Sequence, residues 1–170
     1  KREYESRCVH VHPGDVVVDC GANVGLYSMQ ALMERGAGYL LAIEPEAKNL
    51  VALRRNLAPW LEQGKAGIVE GVAWKERGSV QLRLARAHTS HSVLLAVAEE
   101  QGVQASEAYT IDGLVEETGL RRVNFIKIDV EGAEAAVVEG ARRTIAAHKP
   151  KMAVATYHTP DAFIAVRNVA

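Results

Sequence analysis

The feature that most constrains this chain is the run Val16-Val17-Val18-Asp19 followed at once by Cys20-Gly21-Ala22-Asn23-Val24-Gly25. A short β-branched run that is apolar on both sides reads as a strand buried on both faces, as in parallel sheets. The residues after it suit a tight strand-to-helix turn. Gly21 tolerates positive φ or close backbone approach. Asn23 accepts left-handed geometry, and Gly25 lets the next helix pack closely on the strand. A helical pattern then runs from about Gly25 to Glu34 and ends at Gly36.

The same alternation continues. Tyr39 to Ile43 reads as a second strand ending at Glu44-Pro45, and Glu46 to Leu57 as a helix closed by Pro59. Ile68 to Val72 reads as a third strand, and Ser79 to Leu84 as a half-exposed one, with Val80, Leu82 and Leu84 alternating with polar residues. Val93 to Glu100 is expected to be helical. Ala108 to Ile111 is expected as a short edge strand leading into a helix near Asp112 to Thr118. Phe125 to Ile128 is a strand ending at Asp129, and one helix is expected from Glu131 to about Ala147. Met152 to Tyr157 is the last strand, with another helix from Pro160. Strands alternating with helices give βαβ units and a doubly wound, mainly parallel α/β sheet flanked by helices.

Composition sets bounds on function. With 170 residues, 48% apolar and 24% charged, the chain makes one globular domain, residues 1–170. A net charge of −1 gives no basic excess for phosphates, so nucleic acid is not expected as the main partner. No apolar stretch approaches membrane-span length, and Lys1 to Arg7 does not resemble a signal peptide. Two cysteines, Cys8 and Cys20, suggest no disulfide framework and fit a reducing cytoplasm.

Ligands in such sheets bind beyond the carboxyl ends of the strands, where strand order reverses. Glu44 lies 19 residues beyond Gly25, where a carboxylate can accept hydrogen bonds from ribose hydroxyls. The loop has Gly, Asn and Gly at 21, 23 and 25, not the G-x-G-x-x-G spacing that seats a pyrophosphate. That favours an adenosine cofactor without a pyrophosphate over a nicotinamide dinucleotide. A second signal, Lys127-Ile128-Asp129-Val130-Glu131-Gly132-Ala133-Glu134, ends a later strand. Asp129 at the strand exit reads as a site residue. Glu131 is divided between a site role and a helix-terminal charge, and Glu134 reads as a helix-terminal charge.

Residues 16–25, Ala42-Ile43-Glu44-Pro45, Thr110-Ile111-Asp112-Gly113-Leu114 and residues 125–134 together resemble the FkbM-type family of S-adenosylmethionine (SAM)-dependent methyltransferases, over about Asp15 to Tyr157. The resemblance implies a Rossmann-like class I methyltransferase fold and methyl transfer to a hydroxyl of a sugar or natural-product small molecule. It implies that Asp19, Gly21, Ala22 and Asn23 surround the methionine part of SAM, with Gly25 in the same loop. Glu44, with Pro45, would bind the ribose, Ala73 would lie near the adenine, and Asp129 near the sulfonium end. Such enzymes usually finish with two further strands, one antiparallel. The chain ends at Ala170, so it is expected to lack that hairpin, as if truncated.

In-line positioning of an acceptor on the methyl group can contribute roughly 7–11 kcal/mol, and a base that takes the hydroxyl proton about 10²–10⁴-fold. His158, past the last strand, is the first candidate base, with Asp129 and Glu131 beside it. His10 and His12, or His88 and His91, have no third ligand nearby, so no metal site is expected. The segment around His91 and Ser92 is divided between a lid over the cofactor and a plain surface loop. Trp74 is divided between stacking near the adenine and core packing. The alternatives are a non-catalytic SAM-binding module and an NAD-dependent oxidoreductase.

Overall fold

The computed structural model describes residues 9–85, 100–157, 164, 166 and 167. Five parallel strands make the main sheet: β1 (Val16–Cys20), β2 (Tyr39–Glu44), β3 (Ala66–Glu70), β7 (Phe125–Ile128) and β8 (Lys151–Val154). Their order is β3-β2-β1-β7-β8, so the winding reverses between β1 and β7. The two motifs singled out in the sequence therefore leave adjacent strands at the same sheet edge.

Alternation along each strand divides the core in two. Val17, Leu40, Ala42 and Phe125 face helices α1 (Leu26–Met33) and α2 (Ala47–Glu62), packing on Ala31, Leu32, Leu50, Leu53 and Leu57. Val18, Cys20, Leu41, Ile43, Ile126 and Ile128 face the other way. They meet α3 (Ile111–Glu117), α4 (Glu134–Glu139) and α5 (Arg142–His148). Burying such side chains is worth about 1.5–3 kcal/mol each. Among the described residues no helix is long and apolar enough to cross a membrane.

Several boundaries differ from expectation. Helix α2 runs through Pro59 to Glu62. A proline inside a helix costs about 3 kcal/mol, but the added turn carries Trp60 and Leu61 onto the α1–α2 core. Glu46, the N-cap, accepts a 2.7 Å bond from the Asn49 amide. The third strand stops at Glu70. Past Gly71 the chain leaves for a second sheet, ordered β4-β6-β5, of β4 (Val72–Ala73), β5 (Gly78–Ala85) and β6 (Glu100–Tyr109). A Cβ at Gly71 would stand 2.6 Å from the Glu107 carbonyl oxygen. Strand β6 replaces the short edge strand expected at Ala108 to Ile111. Its sequence is poor in β-branched residues, and antiparallel pairing with β5 holds it. Of the helix expected at Val93 to Glu100, only Glu100 is described, and it lies in β6.

The single helix expected from Glu131 to Ala147 is two helices. Glu131 (φ 53°) and Gly132 (φ 98°) are left-handed, so α4 begins only at Glu134. The break at Gly140-Ala141 is where α3 docks. The Asp112 amide donates to the Gly140 carbonyl (3.0 Å), and the Asp112 carboxylate accepts from the amides of Arg143 (3.0 Å) and Thr144 (2.7 Å). Ala141 has no capping side chain, so Asp112 caps α5 from another helix.

Gly140 has ordinary helical geometry (φ −72°), where alanine normally adds about 0.4–1 kcal/mol. Here the Trp74 carbonyl oxygen occupies the space a Cβ would take. Gly140→Ala is therefore expected to lower stability by about 1–3 kcal/mol in urea unfolding. A midpoint at or above that of the parent protein would contradict this close approach of the Trp74 carbonyl.

Candidate functional site

At the reversal point, parity puts Asp19 and Lys127 opposite each other on the α1–α2 face, in register across β1 and β7. Both are buried: Asp19 is 0% exposed and Lys127 3%. Lys127 Nζ lies 3.1 Å from Asp19 Oδ1 and donates to the Gly21 carbonyl at 2.7 Å and the Cys20 carbonyl at 3.4 Å. Ser28 of α1 donates to Asp19 Oδ2 at 2.6 Å. Asp19 thus spends its charge inside the protein. Sequence reasoning missed Lys127. The signal that could have found it was a lone lysine inside an apolar strand, two residues from Phe125 and Asp129.

The loop above this pair turns with left-handed residues at every second position: Gly21 (φ 75°), Asn23 (φ 53°) and Gly25 (φ 87°). A Cβ at Gly21 would run into the Asp129 carbonyl, so the close approach it permits is between the β1 and β7 exits. Gly25 opens toward α2 and not toward the strand: a Cβ there would be 2.7 Å from Leu53 Cδ1. All five amides from 21 to 25 have internal acceptors. Gly21 and Ala22 donate to the Ile43 carbonyl, Gly25 to the Ala22 carbonyl, Asn23 to Glu44 Oε2 and Val24 to Asn23 Oδ1. A loop whose amides are so used offers no nest for a phosphate.

Glu44, 4% exposed, ends β2 beside this loop. Its Oε2 accepts from the Asn23 amide (2.9 Å), and its Oε1 from the Glu46 amide (3.0 Å) and Asn49 Nδ2 (3.1 Å). A carboxylate has about four acceptor positions, so one further hydroxyl can be received without rearrangement. Burial pushes the Glu44 carboxyl above its ordinary range. Bonds from Asn49, Glu46 and Asn23 pull it back, and the Glu46 charge adds to the rise.

On the other side, Asp129 is half-buried and its amide donates to the Cys20 carbonyl at 3.1 Å. Glu131, half-buried, lies outside helix α4, contrary to expectation, in a conformation uncommon for a residue with a side chain. Glu134, the first residue of α4, is the helix-terminal charge expected, and it is also a buried staple. It is 1% exposed, and its Oε1 accepts from the amides of Gly132 (3.1 Å) and Val130 (3.4 Å), which holds Glu131 in that turn.

The remaining expected residues divide. Ala22 is buried in the loop, and Pro45 is half-buried after β2. Ala73 is 2% exposed within the core on the α3–α5 side, and Trp74 packs with Val72, Ala108 and Ala133. Burial, with Asp19 beside it and Lys127 opposing, pushes the Cys20 thiol far up, so it packs as a small hydrophobe. His158, His88, His91, Ser92 and Cys8 lie outside the described residues. Among the described residues no three His, Cys, Asp or Glu side chains gather as metal ligands. A cleft of about 420 Å³ between α3 and α5 is lined by Asp112, Leu120, Arg143 and His148 and holds none of the site residues.

Residues 19–169 match the family model described as the methyltransferase FkbM domain. Methyltransferase 1 of Beauveria bassiana (strain ARSEF 2860) is 25% identical over 162 residues, covering 82% of this chain and 65% of that protein. The 31-O-demethyl-FK506 methyltransferase FkbM of Streptomyces tacrolimicus is 26% identical over 169 residues, covering 82% and 64%. The chain thus spans a little under two thirds of these curated relatives. Among solved structures, the methyltransferase FkbM from Methylobacillus flagellatus KT aligns with a TM-score of 0.71 at 23% identity, over 98% of this chain and 39% of that one. The precorrin-6Y C5,15-methyltransferase from Geobacter metallireducens GS-15 aligns at 0.51 and 17% identity, over 95% and 62%. At these identities the two structures speak for the fold alone.

Removing one partner of a buried ion pair leaves an uncompensated charge and typically costs about 3–5 kcal/mol. Lys127→Met is expected to lose stability on that scale in urea unfolding. A loss below about 1 kcal/mol would mean that Asp19 does not depend on Lys127.

Proposed function

The chain belongs to the FkbM family of methyltransferases, and from that premise we propose that it methylates a hydroxyl of a sugar or natural-product small molecule. Its cofactor is S-adenosyl-L-methionine. The observation that carries the proposal is the meeting of Glu44, the Gly21–Gly25 loop and Asp129 at one strand edge, with every loop amide already bonded. This suits a nucleoside with no pyrophosphate and counts against the dinucleotide alternative. The O-methyl assignment draws support from the relative whose name specifies a 31-O-demethyl substrate.

In this proposal Glu44 receives a ribose hydroxyl at its remaining acceptor position. Gly21, Ala22 and Asn23 line the amino-acid end, with Gly25 and Pro45 flanking, and Ala73 lies behind the base. The cofactor supplies a methyl group already activated by its sulfonium. The protein's part is to hold that group in line with an acceptor oxygen and to take the acceptor's proton. Asp129 and Glu131, half-buried at the β7 exit, are the proposed bases within the described residues, and His158 is proposed for the same role on sequence position. The left-handed Glu131, held by the Glu134 staple, is the kind of constrained residue that collects at functional sites.

Titration calorimetry with S-adenosylhomocysteine and, separately, NAD tests the cofactor class. Binding of the first and not the second is expected, weakened by about tenfold or more in Glu44→Gln. No S-adenosylhomocysteine binding by the folded protein, or equal binding of NAD, would contradict the reading. Methyl transfer to a hydroxyl acceptor would separate the enzyme from a non-catalytic SAM-binding module.

Glu44 also sets a pH dependence. A raised carboxyl pKa means that folding itself favours the protonated form, a contribution lost as pH rises through that pKa. A hydroxyl that donates to Glu44 favours the ionised form. Affinity for S-adenosylhomocysteine should therefore rise with pH through the raised Glu44 pKa and then level off. Glu44→Gln should flatten that rise, and an unchanged profile in the variant would assign the titration elsewhere.

A further inference from the structure

Lys127 does something that an apolar residue in the same place could not. Phe125, two residues earlier on the same face, fills that layer of the core by packing alone. An ammonium adds donors, and the structure shows it donating to the Gly21 carbonyl (2.7 Å) and the Cys20 carbonyl (3.4 Å), while its charge lies 3.1 Å from Asp19 Oδ1 as an ion pair. Of these three contacts the shortest is to the Gly21 carbonyl and not to the Asp19 carboxylate. The Gly21 carbonyl is thereby turned to the α1–α2 face, at the residue where the chain enters left-handed geometry (φ 75°).

We propose that Lys127 is a positioning residue for the methyl donor: held in place by Asp19, its ammonium fixes the Gly21–Gly25 loop through the main-chain oxygens of Gly21 and Cys20. The proposal rests on the cofactor reading above. Asp19 then acts through Lys127 and is not an open counter-ion for the donor's amino group. Charge-assisted bonds to two carbonyls shape the loop before any ligand arrives, which lowers the ordering cost of binding. Lysine suits the position because rotatable donors on one small group reach two carbonyls beside the Asp19 carboxylate, whereas a planar guanidinium presents its donors in a fixed fork.

The test separates loop shaping from plain stability. Asp19→Asn combined with Lys127→Met removes both charges and leaves an acceptor for Ser28. Replacing both members of a buried pair is tolerated far better than removing one, so the double variant should recover most of the stability that Lys127→Met loses. Two readings are then compared with wild type: amide hydrogen exchange without ligand, and S-adenosylhomocysteine affinity. The expected result is exchange at least tenfold faster at residues 21–25, unchanged exchange in the middle of β1 and β2, and affinity at least tenfold weaker. Wild-type loop protection or wild-type affinity in the folded double variant overturns the proposal. Faster loop exchange in the variant, with no binding by wild type, overturns the cofactor reading and leaves Lys127 as the loop's anchor. Should the double variant fail to fold, Lys127→Arg keeps the charge. Weakened binding at near-normal stability supports the proposal there, and unchanged binding overturns it.

Discussion

The structure depends on one buried ion pair. Asp19 and Lys127 sit opposite each other on adjacent parallel strands, beneath the loop that leaves the first of them. Two opposite charges sealed in a core are costly to desolvate and add little net stability over apolar residues of similar size. What they add is direction. The pair fixes the register of β1 against β7 at the point where the winding reverses, ties α1 to that register through Ser28, and leaves the lysine two donors for the main chain. The pair lies next to the strand ends at which open α/β sheets bind ligands.

A second carboxylate organises the other flank. Glu44 joins the loop to the start of α2 by accepting from Asn23, Glu46 and Asn49 at once. The residue proposed to receive the ribose therefore also holds the loop proposed to receive the amino-acid end, so the two halves of the site share one side chain. On the β7 side the Glu134 staple does comparable work for Glu131. Three strand exits are thus each fixed by a buried polar group, and Gly21, Asn23, Pro45, Asp129 and Glu131 at those exits are half-buried.

Much of this was legible in the sequence, for identifiable reasons. The five main-sheet strands were expected close to where they lie, because each carries a short, mainly apolar run. The Gly–Asn–Gly loop, Glu44 and Asp129 were found by their places at strand ends. Failures came where long-range contacts override local pattern. A helix read as continuous across Gly140 is broken by the Asp112 cap and the Trp74 carbonyl, which come from distant parts of the chain. Strand β6 exists through its pairing with β5 and has little signal of its own. Lys127 stands out locally as a lone lysine in an apolar strand, but its partner and role follow only from the parity of β1 and β7 together.

The central claim is that the exits of β1, β2 and β7 form the cofactor site, and a crystal structure of the protein with S-adenosylhomocysteine tests it most directly. The account predicts a ribose hydroxyl on Glu44, the homocysteine end along Gly21 to Asn23 and against Asp129, and a loop that keeps its ligand-free shape over Lys127. A nucleoside seated elsewhere, for example in the cleft between α3 and α5, or one that binds here without engaging Glu44, would contradict it.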